Sequence, residues 1–190
     1  FSFMLEARPG AYIFVGNVYD TKTKVNLTER KARELNRIAW NELPLHLAIR
    51  KVKGNGSRKL AVFSDADCPF CQRLEETLKD VNDVTIYTFL YPIDQLHPDA
   101  ARKSRMIWCA TDKAKAWDEF FVNGALPDNA GDCANPVAAT ASLGQKLKVT
   151  ATPTLVFADG SIVPGALPAQ SLETELTRAE AEAKKSAAAK

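Results

Sequence analysis

Two cysteines separated by two residues, Cys68-Pro69-Phe70-Cys71, follow the apolar run Leu60-Ala61-Val62-Phe63. They precede apolar residues at helical spacing: Cys71, Leu74, Leu78 and Val81. Strand, short loop, Cys-x-x-Cys and helix is an order that makes a thiol reactive. The thiolate is the nucleophile, and a helix N-terminus places roughly half a positive charge beside the first sulfur. Cys68, at the expected exposed helix start, is then the attacker. Cys71, one turn further in, is the resolving thiol, which releases a trapped mixed disulfide by attacking Cys68. Pro69 suits the first helical position because its missing N–H has no intrahelical partner there. Phe70 supplies neither charge nor hydrogen bond, so Pro69 and Phe70 offer an apolar rim to unfolded substrate. Asp65 and Asp67 oppose the helix dipole by like-sign repulsion with a thiolate, and the sequence leaves that balance open.

The competing reading of such a pair is half of a zinc site. Structural zinc sites bring a second close pair of Cys or His. Here the further cysteines, Cys109 and Cys133, stand alone, and neither His46 nor His97 has a second ligand nearby in sequence. The position after a buried strand favours redox chemistry, and no metal is expected. Four cysteines allow three pairings, and the distant two read as a structural bridge or as unrelated residues. A stable bridge between them would imply an oxidising compartment and contribute about 3–4 kcal/mol by loop closure.

A second element lies some 80 residues on, where Thr152-Pro153-Thr154 opens another apolar run. Proline cannot donate to a strand ladder, but at a strand's beginning it can form a cis peptide. Taken together, the two elements favour a cis peptide there over an ordinary trans proline ending a loop.

The elements that must position these residues read as follows. Ser2-Phe3-Met4-Leu5 and Ala11-Tyr12-Ile13-Phe14-Val15 form a hairpin around Arg8-Pro9-Gly10. Thr28 caps a helix running to about Trp40. Lys53-Gly54-Asn55-Gly56-Ser57 has a flexible boundary composition. The domain division falls there, with residues 1–27, 28–56 and 57–190 as three parts. Beyond it the pattern is α/β: strands at 60–63 and 84–90, and helices after Cys68, at 98–112, 115–122 and 136–148. A hairpin over 154–163 follows, with an Asp159-Gly160 turn. A last helix starts at Leu167. Glu75, four residues before Lys79, makes a weakly favourable surface pair. His97 reads as a loop residue, and Trp40, Trp108 and Trp117 as packing.

The bulk numbers exclude some classes. A chain of 190 residues has room for one good core plus a small appendage. A net charge of +2 gives no overall push toward nucleic acid. The first sixty residues do carry twelve Lys/Arg against five Asp/Glu, which fits two parts with different jobs. No stretch reaches the roughly 18–20 apolar residues of a membrane span. The start lacks both Met and an apolar leader, so the chain reads as a mature product whose export signal is already gone.

At this point the sequence resembles a known family. Phe63-Ser64-Asp65-Ala66-Asp67-Cys68-Pro69-Phe70-Cys71, Ile107-Trp108-Cys109-Ala110, Ala151-Thr152-Pro153-Thr154 and Asp159-Gly160…Val163-Pro164-Gly165 match DsbC/DsbG-type disulfide isomerases in kind and order. Gly16-Asn17-Val18-Tyr19-Asp20 and Asn26-Leu27-Thr28 look like that family's small N-terminal dimerisation domain and the start of its linker helix. The resemblance implies a thioredoxin-like domain with a helical insertion, preceded by a small α+β dimerisation region and a linker helix. It implies that Cys68 is the nucleophile and Cys71 the resolving thiol. Thr152-Pro153 would be the cis-proline loop that receives substrate backbone, and Cys109 and Cys133 the structural disulfide. The partners implied are unfolded or misoxidised secreted proteins, a membrane electron donor of DsbD type and a second copy of the chain. The setting would be the periplasm of a Gram-negative bacterium, with no cofactor and some holdase activity. Pro69-Phe70 replaces the Gly-Tyr common in that family. Val62 stands where thioredoxin-type reductases carry a buried acid, which argues against a cytosolic reductase. A monomeric dithiol oxidase of DsbA type and a non-enzymatic chaperone are the rival readings.

Overall fold

The structure is a computed structural model that describes residues 2–6 and 11–188. The chain divides into two compact units, residues 1–37 and 38–190. In the first, Ser2–Glu6 (β1) and Ala11–Val15 (β2) pair antiparallel, as their β-rich sequences predict. The turn expected at Arg8-Pro9-Gly10 lies outside the described residues. Helix α1 spans Leu27–Leu35 and is capped by Asn26, whose side chain accepts a hydrogen bond from the Glu29 N–H at 3.0 Å. The sequence points to Thr28 as the cap, but the Thr28 hydroxyl instead accepts from the Val18 N–H at 2.8 Å. The helix also ends earlier than Trp40. Ile38 is drawn into the core of the second unit, and Trp40 begins a short 3-10 turn.

The second unit is built on a five-stranded sheet of order β3-β5-β4-β6-β7. These strands are Ile49–Lys53 (β3), Arg58–Ser64 (β4), Val84–Leu90 (β5), Thr154–Phe157 (β6) and Ile162–Pro164 (β7). Only the β4–β5 pairing is parallel. The sequence reading leaves β3 in the connector. Only Ile49 of its five residues is buried, so the strand shows little apolar signal and reads as linker. The Gly54-Asn55-Gly56 stretch is accordingly a turn inside this unit. Both glycines have positive φ (56° and 65°), and the Asn55 N–H donates to Asp83 Oδ1 at 2.9 Å.

Strand β4 is central and covered on both faces, which is why Leu60 to Phe63 read as an unbroken apolar run. Leu60 and Val62 point to one side, where they meet Leu74 and Leu78 of helix α2 (Pro69–Lys79) and Leu172 and Leu176 of helix α6 (Ala169–Ala188). Ala61 and Phe63 point to the other, with Phe63 stacked on Phe89 at 4.9 Å. Burying Leu74 and Leu78 contributes roughly 1.5–3 kcal/mol each, far more than any ion pair on the exposed face of α2. That surface pair joins Lys79 to Glu76, at 2.7 Å, and not to the expected Glu75. Helices α3 (Ala100–Trp108), α4 (Lys113–Asn123) and α5 (Val137–Lys146) lie between β5 and β6. The sheet's two outer strands are the lysine- and arginine-bearing β3 and the three-residue β7, which ends in proline.

Candidate dithiol active site

Strand β4 delivers the chain to a tight loop, and Pro69 opens α2, so Cys68 falls at the helix N-cap. Its side chain makes no cap hydrogen bond, which leaves the sulfur free to point elsewhere. It faces the loop before β6, where Cys68 Sγ donates to the Thr152 carbonyl at 3.3 Å. Thr152–Pro153 is a cis peptide, and Pro153 O accepts from the Gly165 N–H at 2.7 Å, fastening this loop to the end of β7. The expected exposed Cys68 is in fact 5% exposed, because this loop and α4 close around it. Access remains through a pocket of about 290 Å3, whose walls include Asp67, Cys68, Pro69, Gln72, Phe120 and Phe121. Phe70 points away from that pocket. It is 51% exposed and carries the Arg73 guanidinium 5.2 Å from its ring centroid.

Cys71 is a different kind of thiol. It is fully buried and takes a hydrogen bond from the Asp65 N–H at 3.4 Å. Burial pushes its thiol up to about 12. A foreign disulfide cannot reach that sulfur, whereas Cys68 is its neighbour on the first turn of the helix. Both thiols are free.

The two carboxylates before the cysteines have opposite settings from those their isolated charges suggest. Asp65 is completely buried and its carboxylate is fully engaged. Oδ1 accepts from the Asp67 N–H at 2.8 Å, and Oδ2 accepts from the Ile93 N–H at 2.7 Å and contacts His97 Nδ1 at 3.0 Å. The Asp65 carbonyl also accepts from the Cys68 N–H at 3.3 Å. One residue therefore fixes the backbone at Cys68 and contacts the sulfur of Cys71. Asp67 meets Lys103 of α3 in an ion pair. His97, a loop residue by sequence, and Lys103, which no sequence motif marks, thus each face one loop carboxylate. His97 lies 32 residues from its partner and Lys103 lies 36 from its own, so no local spacing rule could have found either.

Glu75 adds a half-buried acid one turn beyond Cys71, although Val62 occupies the position where thioredoxin-type reductases carry theirs. Its Oε1 accepts from Trp117 Nε1 of α4 at 2.8 Å. Burial raises the carboxyl to about 7, against smaller downward pulls from the Trp117 indole and the Lys51 charge. A carboxyl whose folded pKa exceeds its unfolded value favours folding while protonated. That contribution is complete below the unfolded value of about 4.3, and is lost as pH rises through about 7. Allowing for partial exposure, Glu75→Gln, which keeps an acceptor for Trp117, should gain roughly 1–2 kcal/mol over the unsubstituted protein at about pH 8 and little near about pH 4.5. Urea denaturation at both values checks this, and an equal gain at both would reject the assignment.

Cys109, at the C-terminal cap of α3, is joined to Cys133 by a disulfide across 24 positions. Neither is therefore available to complete a zinc site with the active pair. Among the described residues no group of three or more His, Cys, Asp or Glu side chains is gathered, and no helix is long and apolar enough to cross a membrane.

Comparison with known proteins agrees with this geometry. Residues 45–180 match the family model of the thioredoxin-like domain. A probable thiol:disulfide interchange protein DsbC of Bordetella parapertussis is 43% identical over 165 residues, covering 87% of this chain and 58% of that protein. The thiol:disulfide interchange protein DsbC of Escherichia coli K12 is 29% identical over 169 residues, 86% of this chain and 68% of that one. A crystal structure of a disulfide interchange protein from Neisseria gonorrhoeae superposes with a TM-score of 0.70 at 47% identity, covering 73% of this chain and 99% of that chain. The chain spans a little under three fifths of the Bordetella relative's length. The thioredoxin-like fold and the DsbC-type likeness expected from sequence are both borne out. With a matching family model over most of its length and these relatives beside it, the chain belongs to the thioredoxin-like family and is related to the DsbC-named interchange proteins.

Proposed function

We propose that this chain exchanges disulfides with misoxidised secreted proteins, isomerising or reducing incorrect bonds through Cys68 and Cys71. The observation that carries this reading is the unlike placement of two free thiols. One is at a helix N-cap on a pocket wall beside a cis-proline loop, and the other is sealed one turn behind it. The Cys68 thiolate attacks a client disulfide, whose S–S bond breaks as the second client sulfur leaves as thiolate. The client's own thiolate can then attack the client sulfur held to Cys68. This forms a corrected client disulfide and returns the Cys68 thiolate, with no net electron transfer. Alternatively Cys71 loses its proton and attacks Cys68, so the client leaves reduced by two electrons and the pair becomes oxidised. That second route needs reducing equivalents, for which a membrane electron donor of DsbD type is proposed. Thr152, Pro153, Pro69 and Phe70 are proposed to meet client backbone and side chains. No cofactor enters the scheme.

Residues 1–27 are proposed as a dimerisation region, with α1 beginning the link to the catalytic unit. The bridge between Cys109 and Cys133 fits an oxidising compartment such as the periplasm of a Gram-negative bacterium. Two copies would then flank unfolded clients and give holdase activity. The reduced protein should speed recovery of scrambled ribonuclease beyond a glutathione buffer alone. No acceleration would reduce the chain to a chaperone with stapling cysteines. Light scattering should give about twice the 20.8 kDa chain mass. A monomer would favour a dithiol oxidase.

A further inference from the structure

Lys103 occupies a position that packing alone does not explain. It projects from α3 to the last residue before the nucleophile, and its ion pair with Asp67 is only partly exposed, each side chain at 22%. Asp67 is a wall of the same pocket as Cys68, and its backbone N–H is fixed by Asp65. Asp67 and Cys68, adjacent in the chain, thus line one pocket. Lys103 Nζ also lies 5.9 Å from the ring centroid of Phe120, another wall of that pocket.

We propose that Lys103 is a positioning residue for the exchange reaction, neutralising Asp67 so that negative charge can develop on Cys68. The proposal rests on the exchange reading above. A lone carboxylate beside the sulfur would repel a thiolate in a partly water-excluded pocket, where screening is weak. The ammonium turns that carboxylate into half of a neutral pair.

Among the other charged groups around the site, Arg102 also attracts Asp67, at longer range, but its guanidinium is engaged by Asp99. Asp65 is occupied by His97 and two backbone N–H groups. Asp99 grips Arg102 through two hydrogen bonds of 2.7 Å and stands 3.6 Å from Lys103 as a secondary partner. From α2 the charged or titratable neighbours are Cys71, sealed and held up by burial, Arg73, which lies against the Phe70 ring, and Glu75, which is turned to Trp117. The residues α4 contributes to the pocket, Phe120 to Val122 with Gly124, carry no charge, and neither does the Thr152-Pro153 loop.

The test is the rate of Cys68 alkylation by iodoacetamide between about pH 5 and 10, read peptide by peptide in the reduced protein. In Lys103→Met the rate at neutral pH should fall about threefold to tenfold and the profile move to higher pH, while the alkaline plateau stays where it was. Lys103→Arg should keep the original profile. Asp67→Asn added to Lys103→Met should restore the neutral-pH rate to within about twofold, since it removes the charge that Lys103 cancelled. If Cys68 reacts in the unsubstituted protein and the Lys103→Met profile superimposes on it, the proposal is wrong and the exchange reading stands. A lowered plateau with an unmoved profile would also overturn it, because Lys103 would then act on access to the sulfur. Absence of alkylation at Cys68 at every pH in the unsubstituted protein would overturn both readings.

Discussion

Replacing Cys68 by serine is expected to bring disulfide exchange down by roughly two orders of magnitude or more, to the level of buffer thiols alone. Cys71 cannot take over. It has no exposed surface, its sulfur is tied to the Asp65 N–H, and burial holds its thiol up at about 12. The complementary change separates the two roles. Cys71→Ser leaves the attacking sulfur and its pocket in place but removes the internal route of escape. Clients should therefore accumulate as mixed disulfides on Cys68, visible as a reducible band of combined mass on a non-reducing gel. Retained ribonuclease recovery in Cys68→Ser would remove the basis of the whole assignment.

The second large effect concerns stability. Converting both Cys109 and Cys133 to alanine is expected to lower the free energy of unfolding by about 3–4 kcal/mol, the loop-closure contribution for a bridge of this span. The bridge joins the end of α3 to a stretch before α5 that has no regular secondary structure. Few other ties hold that stretch. Asn129 donates through Nδ2 to the Met106 carbonyl at 3.0 Å, and the Gly131 N–H donates to Asn129 Oδ1 at 2.9 Å. Without the bridge, the C-terminal turn of α3 loses its covalent tie to that stretch. Urea denaturation of the double variant beside the unsubstituted oxidised protein measures the difference. A shift below about 1 kcal/mol would mean the native contacts already impose the same restraint.

Much of this arrangement is legible in the sequence, and the remainder is hidden for definable physical reasons. The run Leu60–Phe63, Pro69 at a helix start and the Thr152-Pro153 step each obey rules of short range, so a linear reading finds them. The charges that tune the loop do not. Asp65 finds His97, and Asp67 finds Lys103, only because the chain after β5 returns past the start of α2. Glu75 illustrates a local rule losing to tertiary structure. Its spacing favours Lys79, but burial turns it toward Trp117. Strand β3 is silent in sequence because edge strands need little apolar character, and Cys68 reads as exposed in sequence because its cover comes from two distant segments.

Any protein that handles extended polypeptides risks having them zip onto its own sheet. The outer strands of the five-stranded sheet lessen that hazard. Lysine and arginine side chains along β3 raise the cost of bringing up another backbone, and β7 offers three residues before proline withholds a donor. Neither end of the five-stranded sheet therefore offers a long, uncharged edge to an extended chain. On the proposed exchange reading, a client would find little at either end of this sheet to pair with and would leave once its cysteines are re-paired.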